Sequence, residues 1–341
     1  FINYADGSIG ETGYPWQIPN TPGIVSPNAR VKISDASDPS TNNISQQFSI
    51  IPKFIITAPI ANQKLKANTV EYIAWDRYGE NPTVNLYWSK TNFAEGLGTL
   101  IQANVSNTGN YSWTTPDDLT NNAKARVTYP ADENATNISS TFRIVPGYEV
   151  ISPYSASYDK WPVSQMRQIK WNCTSVNAPT VKLYYTRDGA NYTNLINDNV
   201  SNTGPIDQAR IYNWTVEDAI SSQFRVRVQD ANTTRSDIYA DSPYNSKIMG
   251  YFNLTYPNGG QNFTAFDNIT ITWARAGTVN NARLDISKDN FTSWTVINSS
   301  TVNDGEYSYM IPDMISDTAK IRVADTADLD ANDSSDNYFK I

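Results

Sequence analysis

Sixteen asparagines in the sequence lie in the tripeptide Asn-x-Ser/Thr, in which x is not proline. This tripeptide is the acceptor for N-linked glycosylation of secreted proteins, and its number is about twice that expected by chance from this composition. The acceptors are Asn43, Asn104, Asn110, Asn134, Asn137, Asn172, Asn191, Asn199, Asn213, Asn232, Asn253, Asn262, Asn268, Asn290, Asn298 and Asn332. The sequence therefore predicts a secreted glycoprotein that carries covalent N-glycans.

The positions of these asparagines add to their number. In the segment that begins at Asn268, strict alternation places Ile269, Ile271 and Trp273 on one strand face and Asn268 on the other. The alternative is that asparagine is simply a common turn and outward-face residue in a Ser/Thr-rich chain. The alternation favours acceptors that point away from the core.

A second group of polar residues has the spacing of oxygen ligands in a calcium loop. Asp328, Asp330 and Asn332 alternate, and Asp333 follows them directly. The EF-hand pattern then fails, because Asp333 stands where glycine is required and Phe339 stands in place of the closing glutamate. The segment predicts either a structural calcium site of another kind or a solvated acidic loop. No other cofactor is expected.

Aromatic residues in one connecting segment form the third candidate site. Tyr154, Tyr158 and Trp161 lie in SPYSASYDKWP, which replaces a shorter connection in the other parts of the chain. Tyrosine and tryptophan rings can stack on ligands, and loops often carry binding sites. The alternative is that these rings pack within the sheets, as most aromatic residues do.

The composition excludes several classes of function. The chain contains no histidine, which removes Ser-His-Asp and Cys-His catalysis and the usual zinc ligand sets. Its net charge is -8, without a basic cluster, so no nucleic-acid partner is expected. Cys173 is the only cysteine and shares strand parity with Trp171, which predicts a buried thiol. No segment is long and apolar enough for a membrane span, and no enzyme activity is expected.

The elements that position these residues come from a repeat. One sequence unit of roughly 100 residues recurs, and its C-terminal half occurs four times whereas its N-terminal half occurs three times. An aromatic anchor marks each C-terminal half, and an arginine follows each anchor at nearly constant spacing. The anchors are Trp16, Trp113, Trp214 and Tyr309, and the arginines are Arg30, Arg126, Arg227 and Arg322.

Within the last unit, seven short alternating segments are separated by glycine, asparagine, aspartate and proline. Seven such strands in a unit of this size predict an all-β fold of tandem seven-stranded Ig-like β-sandwich domains arranged end to end. The predicted domains are 54–147, 148–250 and 251–341, and residues 1–53 form the C-terminal half of another. Either preceding residues or strands of another subunit would complete that half.

The tandem W-x-(I/V)-P-D, (I/V)-R-V-x-D and (F/K)-x-I elements resemble the Ig-like repeats of large prokaryotic cell-surface and S-layer-type glycoproteins. The resemblance implies an extracellular location at the cell surface and does not imply a particular activity. The third C-terminal half departs from the pattern, because its end is longer and lacks the final phenylalanine, which predicts an inserted loop or bulge there.

Two functions follow from this reading. Short junctions between units predict a semi-rigid chain of sandwiches, which suits a structural subunit of an extracellular filament, sheath or surface layer that assembles with copies of itself. The alternative is the stalk of a cell-surface adhesin or a carbohydrate- or protein-binding module. A regular assembly in purified material would favour the first function.

Overall fold

A computed structural model describes residues 14–154 and 159–341, which form 29 β-strands and one short 3₁₀ helix. The predicted all-β fold of tandem Ig-like sandwiches is confirmed by the sheets described below. The chain divides into two compact units, Phe1–Pro146 and Gly147–Ile341.

The first unit contains 13 strands in its described part. Four short strands come first: β1 (Ser26–Ala29), β2 (Lys32–Ser34), β3 (Asn42–Ile44) and β4 (Phe48–Ile50). The first complete repeat then contains β5 (Lys53–Ala58), β6 (Lys64–Lys66), β7 (Val70–Tyr78), β8 (Thr83–Ser89), β9 (Thr99–Ser106), β10 (Asn110–Thr114), β11 (Thr120–Tyr129), β12 (Asp132–Ile138) and β13 (Phe142–Val145).

The second unit contains two complete repeats. The second repeat comprises β14 (Tyr148–Ser152), β15 (Lys160–Pro162), β16 (Met166–Cys173), β17 (Thr180–Thr186), β18 (Asn194–Ser201), β19 (Arg210–Thr215), β20 (Ser221–Asp230), a 3₁₀ helix (Thr233–Arg235), β21 (Tyr239–Asp241) and β22 (Ser246–Met249). The third repeat comprises β23 (Tyr251–Tyr256), β24 (Asn268–Ala276), β25 (Asn281–Ser287), β26 (Thr295–Val302), β27 (Glu306–Met310), β28 (Lys320–Asp325) and β29 (Asn332–Ser334).

Each complete repeat pairs a three-stranded sheet with a larger one. The three-stranded sheets have the orders β10-β7-β5, β14-β16-β19 and β23-β24-β27. The larger sheets have the orders β6-β13-β11-β8-β9, β15-β22-β20-β17-β18 and β26-β25-β28-β29, and β12 and β21 pair with β11 and β20. Two layers that share one apolar core are the sandwich architecture.

The first two complete repeats have nine strands rather than the seven predicted. One reason is that β6 and β15 leave the three-stranded sheet and pair in parallel with β13 and β22 in the larger sheet. The other is that β11 and β20 are ten residues long, so each pairs with two short strands in succession. At each of these places, two shorter strands therefore stand where one strand was predicted.

Each complete repeat buries one tryptophan of a long strand in its core: Trp75 in β7, Trp171 in β16 and Trp273 in β24. Trp75, Trp171 and Trp273 are 3%, 0% and 4% exposed. The inward residues of both sheets pack around them, including Leu86 and Phe142 in the first complete repeat. Alternation along each strand therefore fixes which side chains face the core and which face solvent.

The (F/K)-x-I element at the end of the third repeat does not form a regular strand. The regular pairing with β28 is made by β29 at 332–334. Phe339 instead joins Ala319 and Lys340 joins Asn262 through isolated bridges. Ser335 redirects the chain, because its hydroxyl accepts from Ile321 N and donates to Pro257 O.

The described part of the segment before β5 forms two separate two-stranded sheets, β1-β4 and β2-β3. Side chains of core type are exposed there: Trp16 is 48% exposed, and Ile33 and Ile44 are 55% and 52% exposed. In the complete repeats the corresponding anchor, Trp113, is 6% exposed. The anchor tryptophan of this segment is thus exposed, whereas its counterpart in the first complete repeat is buried.

The pairing also corrects the register of the first arginine. Lys32 pairs with Ile44 in the same way that Arg126 pairs with Ile138. Lys32, and not Arg30, is therefore the structural counterpart of Arg126. The nearly constant spacing from the anchor gave the wrong register because the connection between the anchor and β1 is three residues longer than that between Trp113 and β11.

Candidate glycosylation sites and the repeat junction

All sixteen acceptor asparagines lie within the described residues, and none is buried. Thirteen are exposed, and Asn137, Asn172 and Asn298 are half-buried. By contrast, the asparagines with less than a tenth of their surface exposed lie outside the acceptor tripeptide: Asn81, Asn107, Asn202 and Asn303. Strand alternation explains the difference, since an acceptor such as Asn268 precedes inward Ile269 and Ile271.

Four acceptor tripeptides are open at both of their functional groups. Among the described residues, neither the asparagine amide nor the Ser/Thr hydroxyl has a hydrogen-bond partner, and both side chains are exposed. They are Asn104 with Ser106, Asn110 with Ser112, Asn262 with Thr264, and Asn268 with Thr270. Asn104 and Asn110 lie on the edge strands β9 and β10. An edge strand leaves one side of its backbone accessible to another protein.

Three acceptor amides are closed by side-chain hydrogen bonds. Asn137 Oδ1 accepts from Ile56 N at 2.9 Å and Asn298 Nδ2 donates to Tyr307 Oη at 3.2 Å, and both bonds join the two sheets of a repeat. Asn172 Nδ2 donates to Glu149 Oε2 at 3.1 Å, in an exposed bond between neighbouring strands of one sheet. The tripeptide of Asn137 is engaged twice, because the buried Ser139 hydroxyl accepts from Ala125 N. Breaking a partly buried hydrogen bond such as that of Asn137 or Asn298 costs on the order of 1 to 3 kcal/mol.

A buried asparagine accompanies each core tryptophan, a relationship that the sequence reading missed. Trp75 Nε1 donates to Asn107 Oδ1 at 2.8 Å, and Trp273 Nε1 donates to Asn303 Oδ1 at 2.8 Å. Gly109 and Gly305 follow two residues after these asparagines at positive φ, where a side chain would approach the tryptophan carbonyl. The recurring Asn-x-Gly about 30 residues after each core tryptophan was the available signal.

The arginines of the penultimate strands point outward and stack on aromatic rings. Arg126 Cζ lies 4.0 Å from the Phe93 ring centroid, and Arg322 Cζ lies 4.4 Å from that of Trp294. Arg322 also binds Asp285 Oδ2 at 2.8 Å. These contacts join a loop to the outer face of the larger sheet, which is a structural role.

In the second repeat the corresponding arginine makes more contacts. Arg227 Cζ lies 4.1 Å and 3.8 Å from the ring centroids of Tyr192 and Tyr239. Its guanidinium also binds both carboxylate oxygens of Asp241, at 2.7 and 2.9 Å. In this repeat the arginine therefore contacts both a carboxylate and aromatic rings on the outer face of the sheet.

The acidic segment of the third repeat lies against two lysines of the second repeat. Lys247 Nζ binds Asp328 Oδ1 at 2.9 Å and Asp330 Oδ2 at 2.8 Å. Lys160 Nζ binds the other oxygen of Asp330, Oδ1, at 2.8 Å. The four charges form one network across the junction between these repeats, which we call the junction ion pairs.

The junction ion pairs shift the pKa of both kinds of group. Hydrogen bonds from Lys160 and Lys247 lower the pKa of Asp330 to about 2. Burial lowers the pKa of Lys247, but hydrogen bonds with Asp330 and Asp328 outweigh this effect and hold its pKa above the usual value. Each shift favours the charged form, as expected when opposite charges meet.

The rest of the acidic segment binds within its own repeat. Asn332 Nδ2 donates to Leu329 O, and Asp333 Oδ2 accepts from Leu254 N at 2.7 Å. Burial raises the pKa of Asp333. In 14–154 and 159–341, no three His, Cys, Asp or Glu side chains are grouped as metal ligands. The contacts of Asp328 and Asp330 support ion pairing, and a calcium site at these residues stays a prediction.

Apolar contacts make up another part of the same junction. Ile220 and Met249 of the second repeat pack against the core of the third repeat. Gly277 lies so close to Val163 that an added Cβ would come within 3.2 Å of Val163 Cγ2. Close packing and ion pairs together fix the orientation of the second repeat relative to the third.

Two of the three aromatic residues of the predicted binding loop, Trp161 and Tyr154, lie in different environments in the structure. Trp161 lies in β15, is 4% exposed and packs 5.3 Å from the Phe224 ring. Tyr154 is 52% exposed and meets Tyr244 edge-on at 5.9 Å. Tyr158 lies outside the described residues. Trp161 is thus a core residue, and a ligand contact at Tyr154 and Tyr158 stays a prediction.

Two further predictions concern burial and the membrane. Cys173 is 1% exposed, and its thiol donates to Ser175 O at 3.3 Å, as expected for a small buried residue. In the part of the chain that the structure describes, no helix has the length and apolar character needed to cross a membrane.

Comparison with known proteins gives matches in structure only. No protein-family model and no curated protein sequence matches the chain. Fibronectin(III)-like modules of CbhA from Clostridium thermocellum are similar over 57% of this chain and 94% of theirs, at 12% identity and a TM-score of 0.20. Immunoglobulin domains 1–5 of Sidekick-1 are similar over 91% and 65%, at 11% identity and a TM-score of 0.22. The I9–I11 tandem of titin is similar over 84% and 98%, at 10% identity and a TM-score of 0.23. Because these scores are low, the fold assignment rests on the sheet topology.

Proposed function

We propose that the chain is a structural subunit of an extracellular filament, sheath or surface layer on a prokaryotic cell, built of glycosylated Ig-like repeats. Its partners are copies of itself, its acceptor asparagines carry N-glycans, and its role is not catalytic. The observation that carries the proposal is the junction between the second and third repeats, where apolar packing and the junction ion pairs oppose bending.

A rigid junction matters because a structural subunit must hold each repeat in a fixed position relative to the next. Repeats joined by a flexible linker reorient independently, whereas repeats that share packed side chains move together. Lys247 is 17% exposed in its side chain and contacts two carboxylates, so it is held more firmly than a surface lysine with one partner. This geometry supports a mechanical role or a role in spacing.

Surface composition also supports the proposal. Outward asparagines occur on both sheets, for example Asn104 in the larger sheet and Asn110 in the three-stranded sheet of the first complete repeat. Glycans at such positions would form a hydrated coat. The exposed Trp16, Ile33 and Ile44 supply apolar surface suited to contacts with another polypeptide.

The alternative function is the stalk of a cell-surface adhesin or a carbohydrate- or protein-binding module. The exposed pair Tyr154 and Tyr244 favours it, since adjacent rings at the surface can stack on a sugar or a partner. A stalk needs the same firm junction but does not need to assemble with its own copies.

Sedimentation of the native glycosylated protein separates the two functions. We expect the average mass of the full chain to rise with concentration as copies associate. A single monomeric species at every concentration would contradict the proposal and favour the stalk. Addition of soluble oligosaccharide during the same measurement would detect a sugar-binding module.

A further inference from the structure

We infer that the folded chain restricts N-glycans to a subset of its acceptors: Asn104, Asn110, Asn262 and Asn268 are modified, whereas Asn137, Asn172 and Asn298 stay unmodified. This inference rests on the glycosylation part of the proposed function. It concerns which of the sixteen candidates a glycosyltransferase can use once the sandwich has formed.

The chemistry defines what an acceptor must offer. The asparagine Nδ2 forms a bond to C1 of an oligosaccharide that is activated as a lipid-linked phosphate ester. The C1–O bond to phosphate breaks, the lipid phosphate leaves with the electron pair, and one amide proton passes to a base of the transferase. The Ser/Thr hydroxyl is part of the recognised tripeptide. Both side chains must therefore be accessible and free to bind the enzyme.

The four modified acceptors meet this requirement in the described structure. Asn104 lies on edge strand β9 at positive φ, where the pairing with β8 is irregular. Asn110 begins edge strand β10, and Asn268 begins β24. Asn262 lies in the connection between β23 and β24. Edge strands, strand ends and connections are the places where a second protein reaches the backbone with least disruption.

The three unmodified acceptors have engaged amides: Asn172 pairs with Glu149 on the neighbouring strand, and the other two make partly buried bonds between the sheets. Asn137 holds the backbone N–H of Ile56 in the opposite sheet, so its amide cannot turn outward without leaving that donor unpaired. Asn298 donates to Tyr307, a ring that packs on the core of the third repeat. Modification at these positions requires that the transferase act before the sheets pair.

Glycopeptide mass spectrometry of the full chain from its native source tests the inference. We expect occupancy at the four open acceptors to exceed that at the three closed acceptors by about tenfold or more, since a closed acceptor must first break its hydrogen bond. Comparable occupancy at Asn137, Asn172 or Asn298 would overturn it. Absence of glycan at all sixteen positions would overturn the glycosylation proposal as well.

Two matched substitutions in a glycosylating host complete the test. Ser112→Ala removes the tripeptide hydroxyl from an exposed position and leaves Asn110 in place, so it should lower the intact mass by one glycan. Asn298→Gln removes a closed acceptor and should leave the number of glycans unchanged. Loss of a glycan in the second variant would contradict the inference, whatever the state of assembly of the protein.

Discussion

Trp171 Nε1 donates a hydrogen bond of 2.7 Å to Asn202 Oδ1, and both residues are completely buried. Asn202 Nδ2 donates in turn to Ala178 O at 2.6 Å, so one amide satisfies two buried groups on different strands and loops. The same arrangement in the other complete repeats shows that it belongs to the scaffold. A buried polar group is tolerated only when its hydrogen bonds are made.

Replacement of Asn202 by leucine should destabilise the second repeat. The indole N–H of Trp171 and the carbonyl of Ala178 would both lose their partner, at a cost of about 1 to 3 kcal/mol for each group. Calorimetry of the full chain should show one unfolding transition moving to lower temperature. Asp198→Asn, at an exposed position in the same repeat, is the control. Equal melting behaviour of the two variants would contradict the assigned role of Asn202.

The junction ion pairs should hold over a defined pH range. The pKa of Asp330 is lowered to about 2, so its contribution is complete above the unfolded pKa of about 3.9 and is lost as pH falls through about 2. The pKa of Lys247 is raised, so its contribution is complete below the ordinary lysine pKa and is lost at higher pH. The junction is therefore expected to loosen at both extremes.

Spin labels on Asp207→Cys and Lys288→Cys, which lie on adjacent repeats, would report this loosening, since the buried Cys173 stays unlabelled. The distribution of distances between the two labels should stay narrow between about pH 5 and 9 and broaden near pH 2. Lys247→Gln should broaden it at neutral pH, whereas Lys182→Gln should not. A narrow distribution under all these conditions would show that apolar packing alone fixes the junction.

Asp285 is another buried charge with a testable contribution. Its side chain is fully buried and binds Arg283 and Arg322. Asp285→Asn would leave two guanidinium groups without their counter-charge, and we expect a loss of roughly 2 to 4 kcal/mol in the free energy of unfolding of the third repeat. Hydrogen exchange of the third-repeat amides as a function of denaturant concentration would measure it. Exposed Asp304→Asn should be neutral, and equal effects would argue against a specific role.

Calcium gives a direct test of the acidic segment. Because lysine ammonium groups already bind Asp328 and Asp330, we expect the melting temperature of the third repeat to be the same in calcium chloride and in a chelator. An increase in melting temperature with calcium that Asp328→Asn abolishes would support the metal site instead.

Much of the fold could be predicted from the sequence because alternation and core aromatics are local signals. The burial of Trp75, Trp171 and Trp273 followed from strand parity. The division of strands between partners did not, because it depends on which sheet captures β6 and β15. The register of Lys32 was missed for a related reason, since loop length changes spacing without changing composition.

The candidate sites were less predictable than the fold. Outward orientation of the acceptors followed from alternation, but Asn137 and Asn110 look alike in sequence and differ only in what faces them across the sheet. The sequence predicted metal ligands at Asp328 and Asp330 because their lysine partners lie more than 80 residues earlier and are not evident from the local pattern. Trp161 was predicted to be a loop residue because its neighbours in the sequence do not indicate that it enters the core as part of β15.

Electron microscopy of the native material would show directly whether copies of the chain assemble. We expect a helical filament or a two-dimensional lattice whose averaged density shows sandwich-sized domains in a repeating, fixed arrangement. Isolated rods of variable curvature, with no contact between copies, would contradict it.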